Sequence, residues 1–255
     1  MNKNLLKRIV LTSAIAVLGV STSFAALVME RDQSVDTAPS VGMYRFEVPV
    51  ELQGTYNSAG VANLTASMEK EPNTLSMNVA HVKGNPSESY VVEIYKDLAA
   101  IETHRKSDHY QAFVNEVGSK LTNRKMYDVQ SVLLFEKKDA LSIVNDGKAV
   151  VTLTEFTVDS NEIDTVQRQY ELDIERAVRD DAGYKAGYVL RERNAKNHWY
   201  IIQVYSDQDA LTKHLNSPGY RFMMSQIQGS LQNVTTKVLD GDILVNHGGQ
   251  VFVRP

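Results

Sequence analysis

Residues Tyr90–Val114 read YVVEIYKDLAAIETHRKSDHYQAFV, and residues Tyr200–Met224 read YIIQVYSDQDALTKHLNSPGYRFMM. The second run lies on the first at an offset of 110 positions without a gap. The pairs Tyr90/Tyr200, Tyr95/Tyr205, Asp97/Asp207, Ala100/Ala210, His104/His214, Ser107/Ser217 and Tyr110/Tyr220 are identical. Val91/Ile201, Val92/Ile202, Ile94/Val204 and Ile101/Leu211 exchange like for like. Outside the run, the same offset pairs Phe46 with Phe156, Val48 with Val158 and Leu121 with Leu231. An offset that holds from strand to strand marks a duplicated domain.

Each copy reads as strand, helix, two strands, helix pair, strand. In the first copy residues 41–48 look like a strand. The polar stretch LQGTYNSAG follows, then Val61, Leu64 and Met68 at spacings of three and four mark a short helix. Glu71-Pro72-Asn73 stops it, since proline cannot continue a helix and Asn tolerates the left-handed conformation. Residues 75–82 and 90–95 are strands about a Lys83-Gly84-Asn85-Pro86 turn. Asp97 caps a helix that breaks near Ser107, and residues 129–135 close the unit. The second copy repeats this order, with a helix through Ile163, Val166, Tyr170, Ile174 and Ala177 ended by Gly183, a closing strand over 238–245, and an edge strand over 251–253.

The fold class is therefore α+β: two tandem ferredoxin-like (βαββαβ) units, over residues 41–146 and 147–255. Helices cover one face of each sheet, so the bare faces need a partner. Packed on one another they form an intramolecular dimeric α+β barrel with an apolar centre.

At 255 residues with 43% hydrophobic side chains the chain can bury two cores. Its net charge of −4 argues against binding a phosphate backbone, so no nucleic-acid partner is expected. Lys3, Lys7 and Arg8, the apolar run from Ile9 to Val20, and Ser23-Phe24-Ala25 have the pattern of a signal peptide cleaved after Ala25. The expected product is a periplasmic or secreted protein without a stable membrane anchor, its residues 26–40 forming a leader. The absence of cysteine excludes disulfides, thiolate chemistry and a lipoprotein anchor. No HExxH or metal-ligand spacing, phosphate loop, GxGxxG or GxSxG occurs, so the sequence offers no metal site and no hydrolase or nicotinamide signature.

Glu71-Pro72-Asn73-Thr74-Leu75-Ser76-Met77, the strand Val91–Tyr95, and Asp97…Ala100…His104…Ser107…His109-Tyr110…Phe113 together resemble the antibiotic biosynthesis monooxygenase domain. The second copy resembles it through Asp181-Ala182-Gly183-Tyr184, Ile201–Tyr205 and Asp207…Ala210…His214…Ser217-Pro218…Tyr220. The resemblance implies a dimeric α+β barrel and cofactor-independent oxygenation of a phenolic, anthrone or quinol substrate. In such chemistry the substrate supplies the electrons, and the protein deprotonates it and holds the anion in an apolar pocket. Two departures are evident: the family's frequent Trp at the end of the third strand is Tyr95 or Tyr205 here, and two domains are fused where the family pairs single ones.

His104 and His214 are the candidate catalytic residues, because imidazole accepts a phenolic proton near neutral pH. Tyr95, Tyr205, Tyr110 and Tyr220, with Trp199 and Arg191, are candidates for binding a small apolar or aromatic ligand. Every one of these also has a packing explanation, since a histidine kept at a helix break in both copies is what a fold determinant looks like. Any pocket is expected between helix and sheet within one unit, with the two units unequal. A ligand-binding module without catalysis is the alternative. Haem binding ranks last, because the haem-ligating position of relatives with this fold would fall near Val114 and Met224. Further homo-oligomerisation stays open.

Overall fold

The computed structural model describes residues 38–255. The expected signal peptide and all of the expected leader before Ala38 lie outside the described residues. In chain order the elements are β1 (Ser40–Glu47), α1 (Gln53–Lys70), β2 (Thr74–Val82), β3 (Asn85–Tyr95), α2 (Leu98–Lys106), α3 (Asp108–Glu116), β4 (Thr122–Tyr127), β5 (Val129–Glu136) and β6 (Leu141–Val144). The second unit supplies β7 (Val150–Val158), α4 (Ile163–Asp180), β8 (Tyr184–Glu192), β9 (His198–Tyr205), α5 (Gln208–Asn216), α6 (Pro218–Ile227), β10 (Leu231–Asn246) and β11 (Val251–Val253). Among the described residues no helix is long and apolar enough to cross a membrane.

The strands form an 11-stranded sheet ordered β11-β5-β8-β9-β7-β10-β2-β3-β1-β4, with β6 on β10. Within it each unit keeps its own order: β4-β1-β3-β2 in the first and β10-β7-β9-β8 in the second. The units exchange strand ends. Residues 129–136, expected to close the first unit, pair with β8 of the second, with Val129 opposite Glu192. The C-terminal half of β10 pairs with β2 of the first, with Leu239 opposite Val82. These two pairings map onto each other at the offset of the repeat, so the barrel has a pseudo-twofold axis. The strands that do close the units are β4 and the N-terminal half of β10, which pair with β1 and β7. Their polar residues gave no strand pattern in sequence.

The barrel centre is filled by side chains from both units, among them Met43, Val92, Tyr127, Leu134, Tyr188, Tyr200 and Leu244. Two further cores lie under the helices, one per unit. Asp97 and Asp207 cap α2 and α5, each accepting from a backbone N–H at 2.8 Å. Ser107 and Ser217 cap the second helix of each pair and set the break after the histidines. Asn73 and Gly183 are not in the left-handed region; Gly183 is needed instead because a Cβ there would run into Ala210.

Helix α1 starts two turns earlier than its apolar spacing indicates, through the stretch LQGTYNSAG. Its buried face is Tyr56, Ala59, Gly60, Asn63, Leu64 and Ser67. The matching face of α4 is Val166, Tyr170, Asp173, Ile174 and Ala177. Small and polar residues on the inner face of α1 erase the periodicity that makes a helix legible. The same residues leave space beneath it.

Candidate active site

That space is a cavity of about 200 Å³ between α1, α2, α3 and the sheet of the first unit. Phe46, Leu64, Val79, Val91, Ile101 and Phe113 form apolar walls. Polar groups enter from Tyr56, Asn63, Glu93, Tyr95, His104 and Tyr110, while Arg105, Arg124, Lys125 and Asp242 also border it.

His104 is almost wholly buried in the last turn of α2. Its Nδ1 lies 3.1 Å from Glu71 Oε2 and 3.3 Å from Ser67 Oγ, two residues that do not line the cavity. Its Nε2, the other ring nitrogen, has no hydrogen-bond partner among the described residues. The ring is held edge-on by Tyr110 at 4.8 Å and tilted against Tyr95 at 5.7 Å. Glu71, at the end of α1, also accepts from Thr74 Oγ1 at 2.7 Å and meets His109 Nε2 at 2.7 Å. Burial pushes its carboxyl up, but hydrogen bonds with His104, Thr74 and His109 outweigh this and hold it down at about 2. Glu71 is thus an anion that orients the imidazole from behind.

Asn63 is the second cavity residue with an unpaired buried atom, its Oδ1. Glu93 keeps part of its surface open to the cavity and accepts from Tyr95 Oη at 3.0 Å. Burial raises its pKa, against the pull of His104 and Tyr95. Asp242 is tied from outside by His81 Nδ1 at 2.8 Å, which raises the histidine's pKa. Buried polar atoms are nearly always paired, so His104 Nε2 and Asn63 Oδ1 are unmet hydrogen-bonding capacity on two residues that line the cavity.

The second unit has a different arrangement at the matching positions. Tyr170 stands where the first unit has Gly60, and its ring stacks on Phe156 at 5.8 Å. Phe156 is the counterpart of the cavity wall Phe46. Ser67 is replaced by Ala177, Asn63 by Asp173 and Glu93 by Gln203. His214 turns its Nε2 to Asp173 and Gln203, both at 3.4 Å, and its Nδ1 is the unpaired atom. Burial lowers its pKa, with Asp173 opposing. Asp181, shorter than Glu71, meets Gly183 N and Lys213 instead.

Of the residues singled out in sequence, His104, Tyr95 and Tyr110 meet at the cavity. His214, Tyr205 and Tyr220 meet around the packed centre of the second unit. Trp199 is fully buried, donating to Lys196 O at 2.8 Å and stacked near Phe156. Arg191 sits toward the end of β8, near Arg254 and Asp164, away from the cavity. Sequence reasoning missed Gly60, Asn63 and Glu93. Aligning the repeat position by position and asking where a small or charged residue faces a large or neutral one would have found all three.

A family model described as antibiotic biosynthesis monooxygenase matches residues 41–116 and again residues 149–225. The chain belongs to the antibiotic biosynthesis monooxygenase family. It carries two tandem domains of that family, as the repeat implied. The "putative monooxygenase" from Lactobacillus acidophilus NCFM superposes with a TM-score of 0.78 at 19% identity, over 84% of this chain and 99% of that one. The "putative monooxygenase" from Fusobacterium nucleatum gives a TM-score of 0.76 at 20% identity, over 86% of this chain and 100% of that one. An anthrone oxidase-like protein gives 0.52 at 11% identity, covering 87% and 98%. These likenesses show a shared two-unit fold. Among curated proteins none matches this chain.

Proposed function

We propose that the first unit is a cofactor-independent monooxygenase site for a small aromatic or quinol substrate, with His104 as its base and the second unit as its scaffold. The observation that carries this reading is the buried imidazole of His104, fixed through Nδ1 by the Glu71 anion and left unpaired at Nε2 beside an apolar cavity. A base held by an anionic partner on its far side is the arrangement general-base catalysis requires.

The size of the cavity supports the substrate class. An apolar cavity of about 150 Å³ accepts benzene, whereas drug-sized pockets run from about 300 Å³ upward. A cavity of about 200 Å³ suits a small aromatic ring system and is small for haem. The second unit supports it too, because the phenol ring of Tyr170 fills the corresponding position there.

In the proposed reaction His104 Nε2 takes a proton from the activated ring carbon or hydroxyl. The resulting anion gives an electron to dioxygen, and the radical pair closes to a carbon–oxygen bond. The peroxide regains the proton from the imidazolium and loses water, leaving a carbonyl at the carbon that bonded oxygen. One oxygen atom ends in the product and the other in water, and all electrons come from the substrate. Export is proposed with it, resting on the basic, apolar and small-residue order of residues 1–25.

The test is oxygen consumption by purified protein with a panel of quinols and anthrones, beside equilibrium binding of the same compounds. Uptake that His104→Ala abolishes supports the reading. Tight binding without uptake replaces it with a ligand-binding module, and absence of both rejects it.

A further inference from the structure

We propose that Glu71, His104 and His109 form a binding site for a divalent transition metal of the zinc class, present in the first unit alone. The three residues are far apart in sequence and were not read as a metal set, yet the fold brings one ligand atom from each within 4.8 Å of the others. Two imidazoles and one carboxylate are a common donor set for zinc.

All three come from ordered helix ends. Glu71 closes α1, His104 lies in the last turn of α2, and His109 opens α3. His104 would coordinate through Nδ1 and His109 through Nε2, the atoms already turned toward the carboxylate at 3.1 and 2.7 Å. Ligands bound tetrahedrally at about 2.0–2.1 Å stand roughly 3.3 Å from one another. Glu71 Oε1 stands near that spacing, 3.3 Å from His104 Nδ1 and 2.7 Å from His109 Nε2, and the three ligand atoms lie within 4.8 Å of one another, so an ion would draw the two imidazoles together about the carboxylate. Thr74 Oγ1 donates to Glu71 Oε2 at 2.7 Å, the kind of outer contact that orients a ligating carboxylate. Ser107 Oγ lies 3.0 Å from His109 Nε2, at the edge of the site. His104 and Glu71 are buried, while His109 is 13% exposed and gives the ion an approach from solvent.

The repeat provides an internal control. The matching residues of the second unit are Asp181, His214 and Gly219. The third ligand is gone, and a side chain at Gly219 would collide with the Arg176 guanidinium. A fixed cation thus covers the position that an ion would approach in the first unit. Gly219 also shows that the fold tolerates loss of the His109 side chain.

A further consequence rests on the base assigned to the cavity. Metal on Nδ1 leaves the imidazole proton on Nε2, so His104 would present a donor to the cavity and lose its ability to take a proton. Metal binding would then switch the site off.

The experiment is calorimetric titration of tag-free protein with zinc chloride, together with the visible absorption of a cobalt(II) adduct, which reports coordination geometry. One zinc per chain is expected, with a tetrahedral cobalt spectrum. His109→Gly should weaken zinc binding by at least about tenfold, with its fold checked by circular dichroism, and His214→Ala should leave it unchanged. Absence of saturable binding at one equivalent, or binding that His109→Gly does not weaken, overturns the proposal. Binding of aromatic ligands to metal-free protein is a separate readout, so failure here leaves the cavity's own test intact.

Discussion

Gly60 and Tyr170 occupy the same position on the inner faces of α1 and α4, and the glycine leaves open the volume that the tyrosine fills. With the other small and polar residues on the inner face of α1, this exchange sets a cavity in the first unit against a packed core at the same place in the second.

Gly60→Phe should close the cavity, since even a Cβ at Gly60 comes within 3.1 Å of Ile243 Cδ1. Loss of aromatic-ligand binding by at least tenfold, with the fold retained, is the expected result in a fluorescence or calorimetric titration. Tyr170→Ala should act in reverse, costing about 3–5 kcal/mol of stability through the void it creates. Urea denaturation measures that cost.

The two histidines should separate cleanly. His104→Ala removes the base and should abolish oxygen uptake. His214→Ala removes a buried ring packed among Tyr184, Tyr205 and Tyr220 and should destabilise the protein by about 3 kcal/mol through the void it leaves. Its rate with substrate should stay near wild type at temperatures where the variant is folded.

Glu136 gives the protein a pH-dependent stability near neutrality. It is buried where the units join, accepting from Tyr188 Oη at 2.8 Å, and Tyr188 in turn meets Ser76 of the first unit at 3.0 Å. Burial pushes its pKa up to about 7, against hydrogen bonds from Tyr188, Gln250 and Ser76. Above pH 4.5 the unfolded chain releases this proton while the folded protein keeps it until about 7. Its contribution is therefore complete below about pH 4.5 and falls as pH rises to 7, by roughly 3 kcal/mol. Glu71 acts oppositely and lower: its stabilisation holds above 4.5 and is lost as pH falls toward 2. Between pH 5 and 8 the difference in stability between wild type and Glu136→Gln isolates the first effect from the histidines.

The exchanged strand ends predict one unfolding event. β5 pairs with β8 and the end of β10 with β2, so neither unit keeps its full sheet if the other melts. Scanning calorimetry should give a single transition, and residues 38–146 expressed alone should not fold as a monomer.

Much of the fold was legible because the repeat tied uncertain segments to clear ones: α4 has an apolar stripe, and the offset carries it onto α1. The start of α1 was not legible, because its first turns carry Gly54, Thr55, Asn57 and Ser58 and its buried face includes the small or polar Ala59, Gly60 and Asn63. The strand exchange was not legible either, since alternation along a strand says which face is buried and nothing about which neighbour it pairs with. The site was half legible. His104, Tyr95 and Tyr110 stand out as residues kept in both copies. The residues that distinguish the copies, Gly60, Ser67, Glu93 and His109, stand out only once the copies are compared for their differences.

The central claim is that one of two related units holds a working base. Its most direct measurement is oxygen uptake with the best-bound quinol or anthrone by wild type, His104→Ala and His214→Ala at equal folded concentration. The account predicts uptake by wild type and His214→Ala and at least a hundredfold loss in His104→Ala. Equal loss in both variants, or undiminished uptake by His104→Ala, would contradict it.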